Sequence, residues 1–230
     1  EHLKNPSIKA IEEFYAKHYV PENMAICISG DIDPEKAIAL IKERFSSWEN
    51  QGPLRPEPKW VETGLQGREF VQVQYLGEEQ LLLAFRTAPR HHEDYHALRL
   101  MDMILDNSVA GLINLNLVEK QAVRGAGCFP QNYNDHGVQF FYGVPKDGQT
   151  LEEVEKLILA EIEKIKKGEF EDWILPAVVN DFKKKRKIDL ESNAKRVEMM
   201  RDTFLSFVDW ETTEREIDEL EKLTKKDVVR

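Results

Sequence analysis

The stretch at 49–59, ENQGPLRPEPK, sets the strongest limit on how this chain folds. It holds Gly52, Pro53, Pro56 and Pro58. Each proline removes a backbone donor and biases the residue before it away from helix. No regular element continues through such a run, so it reads as a linker. The 230-residue chain is therefore expected in two pieces: 1–50, a linker at 51–59, and 60–230.

The first piece reads helix, strand, helix. Ser7 caps a helix with Ile8, Ile11, Phe14, Tyr15 and His18 at helical spacing, and Pro21 stops it. The apolar run 24–29 (MAICIS), closed by Gly30-Asp31, predicts a buried strand and its turn. Asp33 caps a second helix, with Pro34 at its first position and Ile38, Ile41, Phe45 and Trp48 on its core face. A unit this small holds little core by itself.

Beyond the linker the period changes. Val71, Val73 and Tyr75 alternate with Gln72 and Gln74, and 81–85 is continuously apolar. Gly77-Glu78-Glu79 between them predicts a hairpin. Helical patterns follow at 94–106 and 109–121, then two strands flanking Asp135-His136-Gly137. Thr150 and Glu153 form a capping box for a helix running to Gly168. The remainder, 171–230, is helical, with interruptions expected near Pro176 and Asp209. Strands in one block and helices in another predict α+β, an antiparallel sheet packed on one face by helices. Thr224 to Val229 echoes the Ser7 helix, a hydroxyl cap followed by apolar residues. That echo predicts a further strand, equivalent to 24–29, as the next element.

Composition removes several functions. Forty-two acidic against 32 basic residues give a net charge of −10, which argues against nucleic-acid and anionic-membrane binding. No apolar run approaches the roughly 20 residues of a membrane span, and no signal-peptide pattern opens the chain. The first residue is Glu1 rather than Met, as expected of a processed or excised piece. Cys27 and Cys128 lie in apolar segments and read as buried thiols rather than a disulfide.

One motif demands a decision. His92-Glu93-Asp94-Tyr95-His96 satisfies H-E-x-x-H, in which two imidazoles one helical turn apart hold zinc and the glutamate activates water. On a helix, Ala97, Leu98, Met101, Ile104 and Leu105 form the apolar face, which leaves His92 and His96 nearly opposite it, toward water. No H-x-x-G-x-x-H continuation follows, and Glu119 is the one acid at a compatible spacing. The reading is a solvated helix start, with a surface metal site and a catalytic zincin as the competing ones. Lys183-Lys184-Lys185-Arg186-Lys187 imitates a nucleic-acid patch, and reads instead as a solvated helix face in an acidic chain.

The stretch from Phe14-Tyr15 through Tyr19-Val20-Pro21-Glu22-Asn23-Met24 to Gly30-Asp31 resembles a hallmark of the insulinase (pitrilysin) zinc metallopeptidases. Asp33-Pro34-Glu35 through Phe45 to Trp48, then Tyr95 to Leu98 with Met103 to Leu105 and Gly111-Leu112, and Leu223 to Val229, are similar to later parts of the same family pattern. The resemblance implies the α/β-roll of the insulinase and mitochondrial processing peptidase type. It makes 1–50 the end of a zinc-bearing domain and 60–230 a second, homologous domain that lacks its last strand.

That family's zinc motif is H-x-x-E-H, and this chain contains none. No catalytic, cofactor-binding or metal residue therefore carries over to any position here. The implied parent is a zinc metalloendopeptidase whose two halves close on an unfolded peptide. This portion would be chamber wall and scaffold, inactive alone, with the zinc-bearing domain and the other half as partners. A further expectation is that strand 24–29 is paired, docked on the open sheet of the second domain within one chain or swapped between two as a homodimer, and either bacterial cytoplasm or periplasm fits. The alternative is a metal-free assembly subunit of the same fold.

Overall fold

The computed structural model describes residues 4–49, 63–107 and 110–230. The linker expected at 51–59 lies outside the described residues. The chain divides into two compact units. One gathers the described residues up to Gln74 with Asn193–Arg201; the other holds Tyr75–Ser192 with Asp202–Arg230.

In the first unit, helix α1 (Ile8–His18) starts where Ser7 Oγ accepts the Ala10 N–H at 3.3 Å. Helix α2 (Pro34–Phe45) starts at Asp33, whose Oδ1 accepts from the Glu35 and Lys36 N–H groups at 3.1 and 3.2 Å. Both caps satisfy donors that have no partner inside the helix. Neither helix buries a residue.

The 24–29 segment corrects an expectation. It pairs with no strand among the described residues, and Met24, Ile26 and Ile28 remain 45%, 54% and 41% exposed. Its alternation is strand-like, but a strand is completed by a partner's donors and acceptors, and its neighbours in this unit are helices. The 71–75 segment carries no strand either, and Val71, Val73 and Tyr75 are exposed. The expected hairpin with 81–85 is thus not formed.

The second unit is built on three antiparallel strands, β1 (Leu81–Thr87), β2 (Gly125–Asn132) and β3 (Gly137–Val144), in the order β1–β3–β2. Phe141 pairs with Leu83 on one side and Cys128 on the other. Alternation along β3 buries Gln139, Phe141 and Gly143 and leaves Phe140 and Tyr142 half-buried on the opposite face. Helix α3 (Tyr95–Leu105) buries Leu100, Ile104 and Leu105. Helix α4 (Leu151–Lys166) begins at the expected capping box: the Glu153 N–H donates to Thr150 Oγ1 at 3.2 Å, and the Thr150 N–H to Glu153 Oε2 at 2.9 Å. Its buried Val154, Ile158, Glu161 and Ile165 follow helical spacing. A Cβ at Gly143 would lie 2.4 Å from Val154 Cγ1, so α4 approaches the sheet as closely as glycine permits.

The 109–121 pattern yields a shorter helical stretch, of which Asn114–Val118 is a π-turn. Helix α5 (Ile174–Glu191) is not interrupted at Pro176. That proline lies in the first turn, where its missing N–H has no intrahelical acceptor to lose. Then come α6 (Asn193–Leu205), α7 (Trp210–Lys222, capped by Asp209) and α8 (Lys225–Val229, with a Thr224–Asp227 capping box). Leu100, Ile104, Phe141, Val154, Ile158 and Leu220 sit in one buried cluster. Among the described residues, no helix is long and apolar enough to cross a membrane.

Candidate functional site

The H-E-x-x-H residues do not share a helical turn. Helix α3 begins at Tyr95, so His92 sits in the turn before it, where its Nδ1 accepts the Asp94 N–H at 3.1 Å. Glu93 is exposed. His96 departs from the solvent-facing placement expected of it: it is half-buried, and its Nδ1 is buried without a hydrogen-bond partner. Helices α5, α7 and α8 all pack on α3, and Glu219 of α7 lies near enough to act on the imidazole. Burial, reinforced by Arg99, pushes the His96 pKa down. Glu119 engages the Asn114 amide at 3.3 Å, away from either histidine. Among the described residues, no three His, Cys, Asp or Glu side chains form a group that could hold a metal.

The second unit does contain a polar cluster that the pattern-reading missed. Asp102 Oδ1 accepts from Gln139 Nε2 at 2.7 Å and from Cys128 Sγ at 3.4 Å. One helical turn later, Asp106 Oδ2 accepts the Cys128 backbone N–H at 2.9 Å. Since β2 is an outer strand of this sheet, Asp106 covers a donor that a further strand would otherwise take. Burial raises the Asp102 pKa, and the Gln139 and Cys128 hydrogen bonds oppose it. The Cys128 thiol is also pushed up, first by burial and then by Asp102. Such a thiol stays protonated and donates; it is no nucleophile. The signal available in the sequence was a glutamine, Gln139, at a core-facing position of β3.

Beside this cluster a cleft of about 390 Å³ opens, lined among others by Arg99, Asp102, Asp106, Pro130, Phe182 and Lys185. Two of its cations, Arg99 and Lys185, are engaged. Arg99 pairs with Glu216 and lies 4.6 Å from the Phe182 ring centre. Lys185 bonds Asp181 and Asn107 Oδ1, each at 3.2 Å. Elsewhere in the 183–187 run, Lys183 pairs with Glu221, and Arg186 donates to the Thr213 carbonyl at 2.9 Å. The basic run is a helix face that fastens α5 to α7, rather than a phosphate-binding stripe.

The face of the sheet away from α4 is the remaining feature. Leu82 and Phe129 on it are 58% and 41% exposed. Phe129 stacks on Phe140 with ring centres 5.2 Å apart.

The second unit is thus an α+β domain: a short antiparallel sheet with helices on one face, and no arrangement of a nucleophile, base or metal ligands among its described side chains. Residues 7–182 match the family described as "Peptidase M16 inactive domain", and the chain belongs to that family. It is 26% identical over 201 residues to the Helicobacter pylori protein named "Zinc protease PqqE", a match covering 83% of this chain and 43% of that protein. It therefore spans less than half the length of that relative. Among solved structures, a protease from Helicobacter pylori superposes with a TM-score of 0.83 at 20% identity, over 99% of this chain and 56% of that one. A peptidase M16 inactive domain from Pseudomonas fluorescens gives 0.78 at 19% identity, over 97% and 53%. At such identities the superpositions speak for the fold alone.

Proposed function

We propose that this chain is the non-catalytic portion of one half of a zinc metalloendopeptidase, serving as substrate-chamber wall and scaffold. The carrying observation is its membership of an inactive-domain family, together with a sheet face that leaves Leu82 and Phe129 open to solvent. An extended peptide fits such a face, because apolar side chains gain by leaving water and the sheet is already ordered. In the parent, residues 1–50 would complete the zinc-bearing domain, 51–59 would link, and 60–230 would form the second domain. Zinc would supply Lewis acidity and an activated water from that other domain. The described residues of this chain do not fit the metal, so their part is to hold and orient peptide.

The partners in this reading are unfolded peptide, the zinc-bearing domain and the other half of the protease. The unpaired 24–29 segment supports a homodimer of the isolated chain, since an apolar strand gains by pairing. A bacterial cytoplasm or periplasm suits the reading.

The test is zinc content by elemental analysis after mild chelation, combined with a quenched-peptide hydrolysis assay. The expected results are substoichiometric metal and no hydrolysis. Stoichiometric zinc that disappears in His92→Ala would overturn the reading and return the H-E-x-x-H residues to a metal site.

A further inference from the structure

The turn between α6 and α7 contains a residue under two separate costs. Phe207 has φ of +53°, and it is 82% exposed. Gln121 is the other non-glycine residue at positive φ among the described residues. The hydrogen bonds around Phe207 explain its backbone. Its N–H donates to the Phe204 carbonyl at 3.0 Å, and the Val208 N–H reaches back to the Thr203 carbonyl at 3.2 Å. This is the helix-ending loop in which the residue after the cap turns left-handed, and glycine normally occupies that place because it lacks the Cβ that clashes. Here the chain keeps a phenylalanine, and the ring gains no burial in return.

The turn is also held firmly. Ser206 is buried and its hydroxyl donates to the Asp202 carbonyl. Asn134 Nδ2, from the β2–β3 turn, donates to the Leu205 carbonyl at 3.2 Å. Thr203 and Thr213 join their hydroxyls at 3.0 Å across the helix pair. Within three positions of Phe207 along the chain, Phe204, Leu205 and Trp210 are 42%, 58% and 40% exposed. The stretch 201–215 carries four carboxylates, Asp202, Asp209, Glu211 and Glu214, against Arg201 and Arg215; Glu211 pairs with Arg215, Asp209 caps α7 and Glu214 accepts the Trp210 indole N–H, so the excess charge is negative.

We infer that Phe207, with the exposed Phe204, Leu205 and Trp210 close to it along the chain, is a docking knob for a polypeptide segment carrying large apolar side chains flanked by lysine or arginine. Backbone strain and exposed apolar area at one ordered residue are retained where an interaction uses the side chain. The negative excess of the stretch favours a basic partner. The inference rests on the peptide-wall reading and adds a location and a sequence preference to it.

The experiment uses the whole chain and a fluorescein-labelled unstructured peptide of Phe and Lys residues with Gly-Ser spacers, followed by anisotropy. Two control peptides carry Glu for Lys, or Ser for Phe. Phe207→Gly suits the backbone better, so its thermal midpoint should be unchanged or higher while its affinity falls about tenfold or more, as for a central aromatic contact. Phe207→Trp should retain binding. The Glu and Ser peptides should bind more weakly than the Lys-Phe peptide.

Equal affinity of wild type and Phe207→Gly would overturn the knob and leave the peptide-wall reading intact. A lower midpoint in Phe207→Gly would also overturn it, by making Phe207 a packing residue. Equal binding of the Glu peptide would overturn the charge preference. If the wild-type chain binds none of the three peptides, both readings fall. Self-association abolished by Phe207→Gly would assign the knob to a second copy of the chain instead.

Discussion

Gly143→Ala is the sharpest probe of how α4 sits on the sheet. The added methyl would lie 2.4 Å from Val154 Cγ1 and 2.9 Å from Ile158 Cδ1, where carbon atoms at contact need about 3.5–4.0 Å. Both neighbours are fully buried and belong to α4, so the strain is relieved only if Val154 leaves its rotamer or the helix retreats. Such overpacking costs about 1–3 kcal/mol. Replacing glycine with alanine restricts the unfolded chain and returns about 0.4–1 kcal/mol. The expected net loss is therefore about 1–2 kcal/mol.

Val154→Ala alone should cost about 2 kcal/mol, from two buried carbons and the space they leave. The two substitutions relieve each other, because the new methyl occupies the volume that the valine gave up. Urea unfolding monitored by far-UV circular dichroism should thus show the double variant about 1 kcal/mol more stable than the sum of the singles predicts. Additivity within about 0.3–0.5 kcal/mol would refute the proposed close approach.

His96 supplies a pH prediction. Its folded pKa is lowered by burial and Arg99, so the folded state binds this proton less readily than the unfolded state, and stability is lost as pH falls below about 6.5. His96→Leu should flatten stability between that value and the onset of carboxylate titration near pH 5; an unchanged slope would refute the burial argument. Asp102 has the opposite sign of effect. Its pKa is raised by burial, so the wild-type chain loses stability as pH rises through that native value. Asp102→Asn keeps an acceptor for Gln139 and removes the charge, so a stability gap in favour of the variant should open above about pH 4. A gap independent of pH in denaturant titrations would count against it.

What the sequence determined by itself was local. Ser7, Asp33, Thr150 and Thr224 mark helix starts because a cap's partners lie two or three residues away on the same chain. The order of strand and helix blocks gave the α+β class, and the phrase from Phe14 to Asp31 pointed to the peptidase family later matched over 7–182.

Tertiary structure decided whatever depends on a distant partner. The 24–29 and 71–75 segments have strand-like patterns, yet a strand exists only where another backbone meets it. Periodicity put His96 toward water, yet it is half-buried in a fold where helices from far along the chain, α5, α7 and α8, pack on α3. Asp102, Gln139 and Cys128 come from a helix and two strands and share no motif, so only packing could bring them together. Phe207 looks like any other apolar residue in the sequence. Its left-handed backbone comes from hydrogen bonds closing the end of α6, and its exposure from the absence of any described side chain packed over it. Pattern reports what a residue prefers; the fold decides whether its surroundings supply it.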